Sequence, residues 1–154
     1  EMNKIMTLEE AIEAKGDCKL VVTNGCFDIL HKGHVEYLNE SKKLGDKLFV
    51  LLNSDESVKK LKGENRPINN QEDRAYMLAN LECVDGVIIF NDIHCANELL
   101  KLKPNVYTKG GDYFMCGLYQ DERVALIAIN ATVHIIPKTR GYSTTDIIRR
   151  IKNG

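Results

Sequence analysis

The fold is decided by residues 19–34, KLVVTNGCFDILHKGH, in which an apolar run leads through a turn-rich segment into the start of a helix. Residues 19–23 have the length and apolar content of a buried strand. The helical pattern that follows, HVEYLNESKKL, stops before Gly45, which we expect to occupy the C′ position of that helix. The stretch therefore predicts a strand, a loop and a helix in direct succession.

Further segments repeat this alternation of strand and helix. Four more strands are predicted, at residues 47–52, 86–90, 105–108 and 132–136. Asn70 is placed to cap a helix over residues 71–81, and another helix is predicted over residues 96–102. The intervening segment, NSDESVKKLKGENR, is expected to be a polar loop.

Two later helices are predicted from the spacing of apolar residues. The inward face of the first is expected to carry side chains spaced i, i+3, i+4 and i+7: Val124, Ile127, Ala128 and Ala131. Residues 143–146, STTD, resemble a capping box. The helix that they open is expected to turn three isoleucines inward: Ile147, Ile148 and Ile151.

Strands that alternate with helices imply right-handed crossovers, and therefore a parallel sheet covered by helices on both faces. We predict an α/β, Rossmann-like, doubly wound sheet of about five strands, formed as a single domain over residues 1–154. In such folds ligands bind beyond the carboxyl ends of the strands, where the strand order reverses. The segments that follow strands are therefore the first places to look for chemistry.

Composition narrows the classes of function. The 154 residues include 21 basic and 22 acidic side chains, so no global field attracts a polyanion and nucleic acid is not an expected partner. No apolar run approaches the roughly 20 residues that cross a bilayer, so we expect no membrane partner and a cytoplasmic location. The five cysteines form no C-x-x-C pair and are odd in number, which favours reduced thiols.

Residues 31–34, HKGH, lie at the expected start of a helix. Backbone N–H groups and the helix dipole favour a phosphate there, and Gly33 has no side chain to keep the anion away. His31 and His34 can point to the same side and donate hydrogen bonds to one phosphoryl centre, as in an oxyanion hole. An isolated H-x-G-H also fits ordinary loop histidines. A zinc site with Cys26 is a further alternative, although it lacks a fourth ligand.

The residues around this motif make a specific resemblance. The chain has neither a P-loop nor a G-x-G-x-x-G after its first strand, but TNGCFDILHKGH resembles the signature of the HxGH nucleotidyltransferases. The chain is most similar to the D-glycero-D-manno-heptose 1-phosphate adenylyltransferase branch. The similarity extends through NSDESVKKLKGENRP, QEDR, ECVDGVIIF, KPNVYTKGGDY and GYSTTDIIRRI, and so covers the chain from about residue 18 onward.

The resemblance implies roles for individual residues. His31 and His34 would stabilise the transferring α-phosphoryl group, and Lys62 would reach the triphosphate or the acceptor phosphate. Substrate phosphates are expected to lie near Asp28, Arg74 and Lys138. The nucleotide pocket is expected to involve Thr23, Gly25, Phe27, Gly33, Gly110, Gly111, Asp112, Ser143 and Thr144. The alternatives are a solvated lysine for Lys62, a surface residue for Arg74, a simple turn at residues 110–112, and simple helix capping by Ser143 and Thr144.

The resemblance also implies the reaction and its partners. A nucleoside triphosphate, ATP or CTP, would carry Mg²⁺, with no metal held by the protein itself. The acceptor would be a phosphorylated small molecule, with heptose 1-phosphate favoured, and its phosphate is already an anion near neutral pH because its second pKa is about 6. The alternatives are a cytidylyltransferase acting on glycerol 3-phosphate or a similar compound, and a non-catalytic nucleotide-binding module. A homodimer is left open.

Overall fold

The computed structural model describes residues 3–111, 118–137 and 141–154, and its centre is a parallel sheet. The strands are β1 (Leu20–Gly25), β2 (Lys47–Asn53), β3 (Gly86–Phe90), β4 (Val106–Gly110) and β5 (Thr132–Ile136). Their order is β3-β2-β1-β4-β5, with every neighbouring pair parallel. The predicted Rossmann-like sheet is therefore confirmed, and its strand order reverses between β1 and β4.

Seven helices connect or flank these strands in the described part of the chain. They are α1 (Leu8–Lys15), α2 (Lys32–Lys42), α3 (Asp55–Lys62), α4 (Gln71–Ala79), α5 (Ala96–Leu102), α6 (Gln120–Ala128) and α7 (Thr144–Asn153). The expected Asn70 cap of α4 is present, because its side chain accepts from the Asp73 N–H at 2.8 Å. No helix in the described ranges combines the length and apolar character needed to span a membrane.

The sheet has a separate hydrophobic core on each face, as a doubly wound fold requires. Alternate residues of each strand point to opposite faces. Leu20 and Val22 belong to the core that contains α1, α5 and α6 residues, whereas Val21 belongs to the core with α2 and α4 residues. Both faces of the central strands are therefore covered, which explains why the sequences of these strands are continuous apolar runs.

Two predictions about helices are corrected by the structure. The segment expected to be a polar loop after β2 contains α3, whose N-cap Ser54 accepts from the Ser57 N–H. The α7 helix has no buried residue, and Ile151 is 73% exposed, so its isoleucines do not form an inward core face. The expected cap is present, however, because the Ser143 hydroxyl accepts from the Asp146 N–H.

The predicted inward face of α6 is also wrong. Val124 and Ile127 are 59% and 69% exposed, whereas the buried positions are Glu122, Ala125 and Leu126. The predicted face and the buried face of α6 are both largely apolar, so the spacing of apolar residues alone does not show which face points inward. The buried stripe includes a carboxylate because the Cys95 N–H needs an acceptor, and Glu122 Oε2 provides it at 3.0 Å.

Gly45 follows α2 for a different reason from the one expected. The C-cap of α2 is Lys43, and Gly45 does not have a positive φ, so it is not a left-handed C′ residue. A Cβ at Gly45 would lie 2.7 Å from the Lys19 carbonyl oxygen and 2.8 Å from a Val21 methyl carbon. Glycine is required here because the backbone passes close to the start of β1.

Candidate active site

A cavity of ≈ 660 Å³ opens at the carboxyl ends of β1 and β4, where the strand order reverses. Its walls come from the loop after β1, the first turn of α2, the end of α3, the end of β4 and the start of α7. This is the position at which doubly wound sheets bind ligands. Segments that are far apart in sequence, from Asn24 to Thr145, therefore meet at one site.

His31 and His34 lie in this cavity and cap helix α2 reciprocally. His31 is the N-cap residue, and its Nδ1 accepts from the His34 N–H at 3.4 Å. His34 Nδ1 in turn accepts from the His31 N–H at 3.2 Å. The two rings are stacked with centroids 3.7 Å apart. Since each Nδ1 accepts a hydrogen bond, each neutral ring carries its proton on Nε2, the nitrogen that is available as a donor.

Burial keeps the His34 ring neutral. Removal from water, followed by repulsion from His31, lowers the pKa of His34 to about 4. Lys62 adds to this effect and Asp28 opposes it. A neutral Nε2–H donor does not need to be charged to stabilise an oxyanion, and the backbone N–H groups of Lys32 and Gly33, in the first turn of α2, provide further donors.

Gly33 allows this arrangement to form. A Cβ at Gly33 would lie 2.9 Å from the Tyr142 Cβ and 3.0 Å from the His31 ring. Tyr142 lies against His31 with nearly parallel rings, 6.3 Å apart between centroids, and therefore covers the motif from the α7 side. Two residues of the preceding loop, Phe27 and Ile29, have φ values of 46° and 51°. Such strained backbone is typical of functional sites.

Asp28 fastens a second loop to the histidine motif. Its carboxylate accepts from the backbone N–H groups of Ile68 at 2.7 Å and Asn69 at 2.9 Å, and from Arg66 Nε at 3.2 Å. Burial alone would raise the pKa of Asp28, but these hydrogen bonds and the Arg66 charge outweigh it and lower the pKa. Asp28 lines the cavity, yet its carboxylate is engaged with this loop, which brings Arg66 to the cavity wall.

Arg74 and Thr23 do not line the cavity in the described part of the chain. Arg74 is 2% exposed, and its guanidinium donates to the backbone carbonyls of Asn69, Cys26 and Asn53 and to Asp55. It is thus neither a surface residue nor placed to contact a phosphate. Thr23 is fully buried and bonds Tyr37 and the Thr108 carbonyl. Both residues therefore lie behind residues that line the cavity, such as Tyr37 and Asn53, and support them through hydrogen bonds.

The cavity brings together most of the other predicted site residues. Those that line it are Gly25, Phe27, Lys62, Gly110, Gly111, Ser143 and Thr144, with Asp28, Gly33 and the two histidines. Asp112 and Lys138 lie outside the described residues. The Ser143 hydroxyl caps α7, and Thr144 Oγ1 donates to the Asp28 carbonyl at 2.5 Å, so both hydroxyls also have structural partners.

The sequence patterns missed several residues that line the cavity. Among them are Asn53, Arg66, Lys109 and Tyr119. Arg66 lies in a segment of the resemblance but was given no role from the sequence, and Tyr119 belongs to no local motif. The fold brings both side chains to the cavity. Asn53 and Lys109 have a recognisable signal, because each is a polar residue in the last two positions of a buried parallel strand.

The described cysteines are all free thiols, and Cys116 lies outside the described residues. Cys26 lines the cavity, but burial raises the pKa of its thiol, which leaves it protonated and weakly nucleophilic. Within residues 3–111, 118–137 and 141–154, no three histidine, cysteine or acidic side chains group together in a way that could hold a metal.

Similar proteins place this site in a wider context. The chain is 49% identical over 153 residues to the bifunctional protein HldE of Campylobacter concisus (strain 13826), covering 99% of this chain and 31% of that protein. It is 53% identical over 135 residues to the bifunctional protein HldE of Aliarcobacter butzleri (strain RM4018), covering 87% of this chain and 27% of that protein. The chain therefore spans about a third or less of the length of these relatives.

Solved structures and a family model agree with these matches. A lipopolysaccharide core biosynthesis protein from Thermoplasma volcanium GSS1 is 31% identical with a TM-score of 0.64, covering 82% of this chain and 99% of that one. A pantoate-beta-alanine ligase from Francisella tularensis shares the fold, with a TM-score of 0.60 at 16% identity, covering 98% of this chain and 77% of that one. The model of the cytidylyltransferase-like family matches residues 22–150. With the paired histidines at the switch point of the sheet, these findings show that the chain belongs to the cytidylyltransferase-like family of nucleotidyltransferases.

Proposed function

We propose that this chain transfers the nucleoside monophosphate part of ATP to a sugar phosphate, with heptose 1-phosphate as the favoured acceptor, and releases pyrophosphate. The observation that carries the proposal is the pair of stacked imidazoles that cap α2 inside the cavity through Nδ1, which leaves each Nε2 as a donor. Lys62 and Arg66 contribute positive charge to the same cavity. This combination suits the developing charge of a transferring phosphoryl group.

The reaction needs no protein nucleophile. An oxygen of the acceptor phosphate attacks the α-phosphorus, and a new P–O bond forms as the bond to the bridging oxygen of pyrophosphate breaks. The attacking oxygen is already an anion near neutral pH. The Nε2–H groups of His31 and His34 donate to the α-phosphoryl oxygens, while Lys62 and Arg66 neutralise the phosphates on either side.

Among the described residues that line the cavity, Asp28 is the one acidic side chain, and its carboxylate is engaged with the loop after α3, so a Mg²⁺ ion would be held by the phosphates of the nucleotide with which it arrives. Mg²⁺ keeps most of its waters and is commonly held by substrate phosphates with few protein ligands. When bound, it would neutralise charge on the triphosphate oxygens. The cavity's lysine and arginine side chains and histidine donors are then left to hold and align the two phosphorylated substrates.

The choice of a sugar acceptor rests on the relatives. The Thermoplasma protein is described as a lipopolysaccharide core biosynthesis protein, and the lipopolysaccharide core is a carbohydrate structure. The resemblance of the histidine motif and of KGGDY to heptose adenylyltransferases favours ATP. A cytoplasmic location and a homodimer stay predictions.

The decisive experiment is a matrix of four nucleoside triphosphates against sugar and polyol phosphates, read by pyrophosphate release at one Mg²⁺ concentration. We expect the highest kcat/KM with ATP and heptose 1-phosphate. Equal or greater efficiency with CTP and glycerol 3-phosphate would move the chain to the cytidylyltransferase alternative. Nucleotide binding without pyrophosphate release from any pair would indicate a non-catalytic module.

A further inference from the structure

Three residues that line the cavity have no part in the phosphoryl chemistry: Asn53, Ile93 and Tyr119. Asn53 is the last residue of β2 and pairs with Phe90, the last residue of β3. The chain continues from Phe90 to Ile93 and His94, and the His94 ring stacks on Tyr119. This series of contacts connects the amide and the aromatic ring, both of which line the cavity.

The Asn53 side chain carries an unsatisfied donor. The residue is 2% exposed, and its Nδ2 has no hydrogen-bond partner among the residues that the structure describes. Its backbone carbonyl accepts from Arg74 at 2.9 Å, so the main chain at this position is fixed. A buried amide donor without a partner destabilises the folded protein, and a ligand oxygen would remove that cost. A ligand that presents acceptor oxygens, as the hydroxyl groups of a sugar do, would therefore satisfy this donor.

Tyr119 provides a supported aromatic surface in the same cavity. It is the N-cap residue of α6, it is 44% exposed, and its ring stacks on His94 with centroids 3.6 Å apart. His94 Nδ1 lies 3.0 Å from both carboxylate oxygens of Asp121, which fixes the plane of the His94 ring. One face of Tyr119 is thus supported by a ring that is itself held in place. Its large apolar ring suits contact with the C–H face of a sugar.

We propose that Asn53 and Tyr119 form the subsite for the sugar ring of the acceptor and determine its specificity. Asn53 Nδ2 donates to a sugar hydroxyl, and the Tyr119 ring packs against a C–H face of the same sugar. The acceptor phosphate then lies toward His31 and Lys62. This inference rests on the proposed function and adds which residues select a polyhydroxylated acceptor.

The test of Asn53 is the near-isosteric variant Asn53→Leu. It removes an unpartnered donor, so the melting temperature of the free protein is expected to stay level or to rise. The KM for the sugar phosphate is expected to rise about tenfold, because one hydrogen bond is lost, while the KM for ATP is unchanged. A structural role for the amide would produce the opposite result, a lower melting temperature with no selective change in the acceptor KM.

The test of Tyr119 uses three variants in the same assay. Tyr119→Ala is expected to raise the KM for the sugar phosphate about tenfold without changing the KM for ATP, and Tyr119→Phe is expected to keep both near normal. Tyr76→Ala is the matched control, because Tyr76 is 64% exposed on α4 and does not line the cavity. Selectivity for a sugar phosphate over glycerol 3-phosphate should fall in Tyr119→Ala and persist in the control.

The possible outcomes separate the two proposals. An unaltered chain that releases no pyrophosphate with any sugar phosphate overturns the proposed function, and this subsite with it. An active chain whose Asn53→Leu and Tyr119→Ala variants keep the normal acceptor KM overturns the subsite and leaves the proposed function intact. A selective rise in the acceptor KM in both variants supports both proposals.

Discussion

His31 has two roles that usually belong to different residues. Its Nδ1 caps a helix, a role that serine, threonine, asparagine or aspartate normally performs, and its Nε2 belongs to the proposed reaction centre. His34 completes the cap with its own Nδ1. Stability and chemistry can therefore be separated by choosing substitutions that preserve only one of the two roles.

His31→Asn and His31→Ala provide that separation. Both variants are expected to lower turnover by about 10² because both lose the Nε2–H donor. Only the alanine variant should also lose about 1 kcal/mol of unfolding free energy, since asparagine still caps the helix. Steady-state kinetics and denaturant unfolding of the two proteins measure both effects, and near-normal turnover in either variant contradicts the role given to His31.

His34 should titrate at unusually low pH. A resonance of its ring, assigned by its loss in His34→Gln, is expected to show a midpoint of about 4 in an NMR titration of the free protein. The unfolded chain binds this proton near the ordinary value of about 6.5, so the unfolded state carries more protons between these values. This group therefore makes the free energy of unfolding rise from about pH 4 to about pH 6.5 and level off above. A midpoint at or above 6.5 would show that the ring is not desolvated.

The loop after α3 is positioned by one side chain, the carboxylate of Asp28. Asp28→Asn replaces an acceptor oxygen with an amide N–H, which would face the backbone N–H groups of Ile68 or Asn69. We expect a lower melting temperature and a KM for ATP raised about tenfold, because Arg66 and the loop are no longer held at the cavity.

Asp85→Asn is the matched control for this prediction. Asp85 also accepts a hydrogen bond from a backbone N–H, that of Leu48 at 2.8 Å, and it pairs with Lys42. However, it directly precedes β3, and so lies at the amino-terminal ends of the strands, away from the cavity. It should lower the melting temperature and leave the KM for ATP unchanged. A similar KM change in both variants would mean that the Asp28 effect is only a general loss of stability.

The elements also show what can be predicted from sequence and what cannot. All five strands were predicted within about two residues, because buried parallel strands read as short apolar runs. The α6 face was wrong, because two adjacent apolar stripes compete and a buried hydrogen bond to Cys95 decides between them. Arg74 lies in a helix that was predicted, yet its partners come from three separate segments, so its burial is a tertiary property.

A nucleotide bound in the cavity would join segments that pack on different parts of the sheet. A ligand that binds only the folded state stabilises it by about 2.7 kcal/mol at a concentration of 100 times Kd. Mg-ATP should therefore raise the melting temperature, and the increase should be smaller in Lys62→Ala than in the unaltered chain. Lys60→Ala is the control, since Lys60 pairs with Glu56 on the surface of α3 and does not line the cavity. Equal increases in melting temperature in all three proteins would show that Lys62 does not contribute to binding Mg-ATP.

The contact between Thr144 and the Asp28 carbonyl bears on the order in which parts of this protein fold during synthesis. The last strand ends at Ile136, so a chain leaving the ribosome has all five strands before residues 143–145 emerge. Helix α7, which has no buried residue, contributes little to the cores that hold the sheet together. A growing chain can therefore form its sheet first and complete the proposed site last, so that nascent molecules are compact before all parts of that site are present.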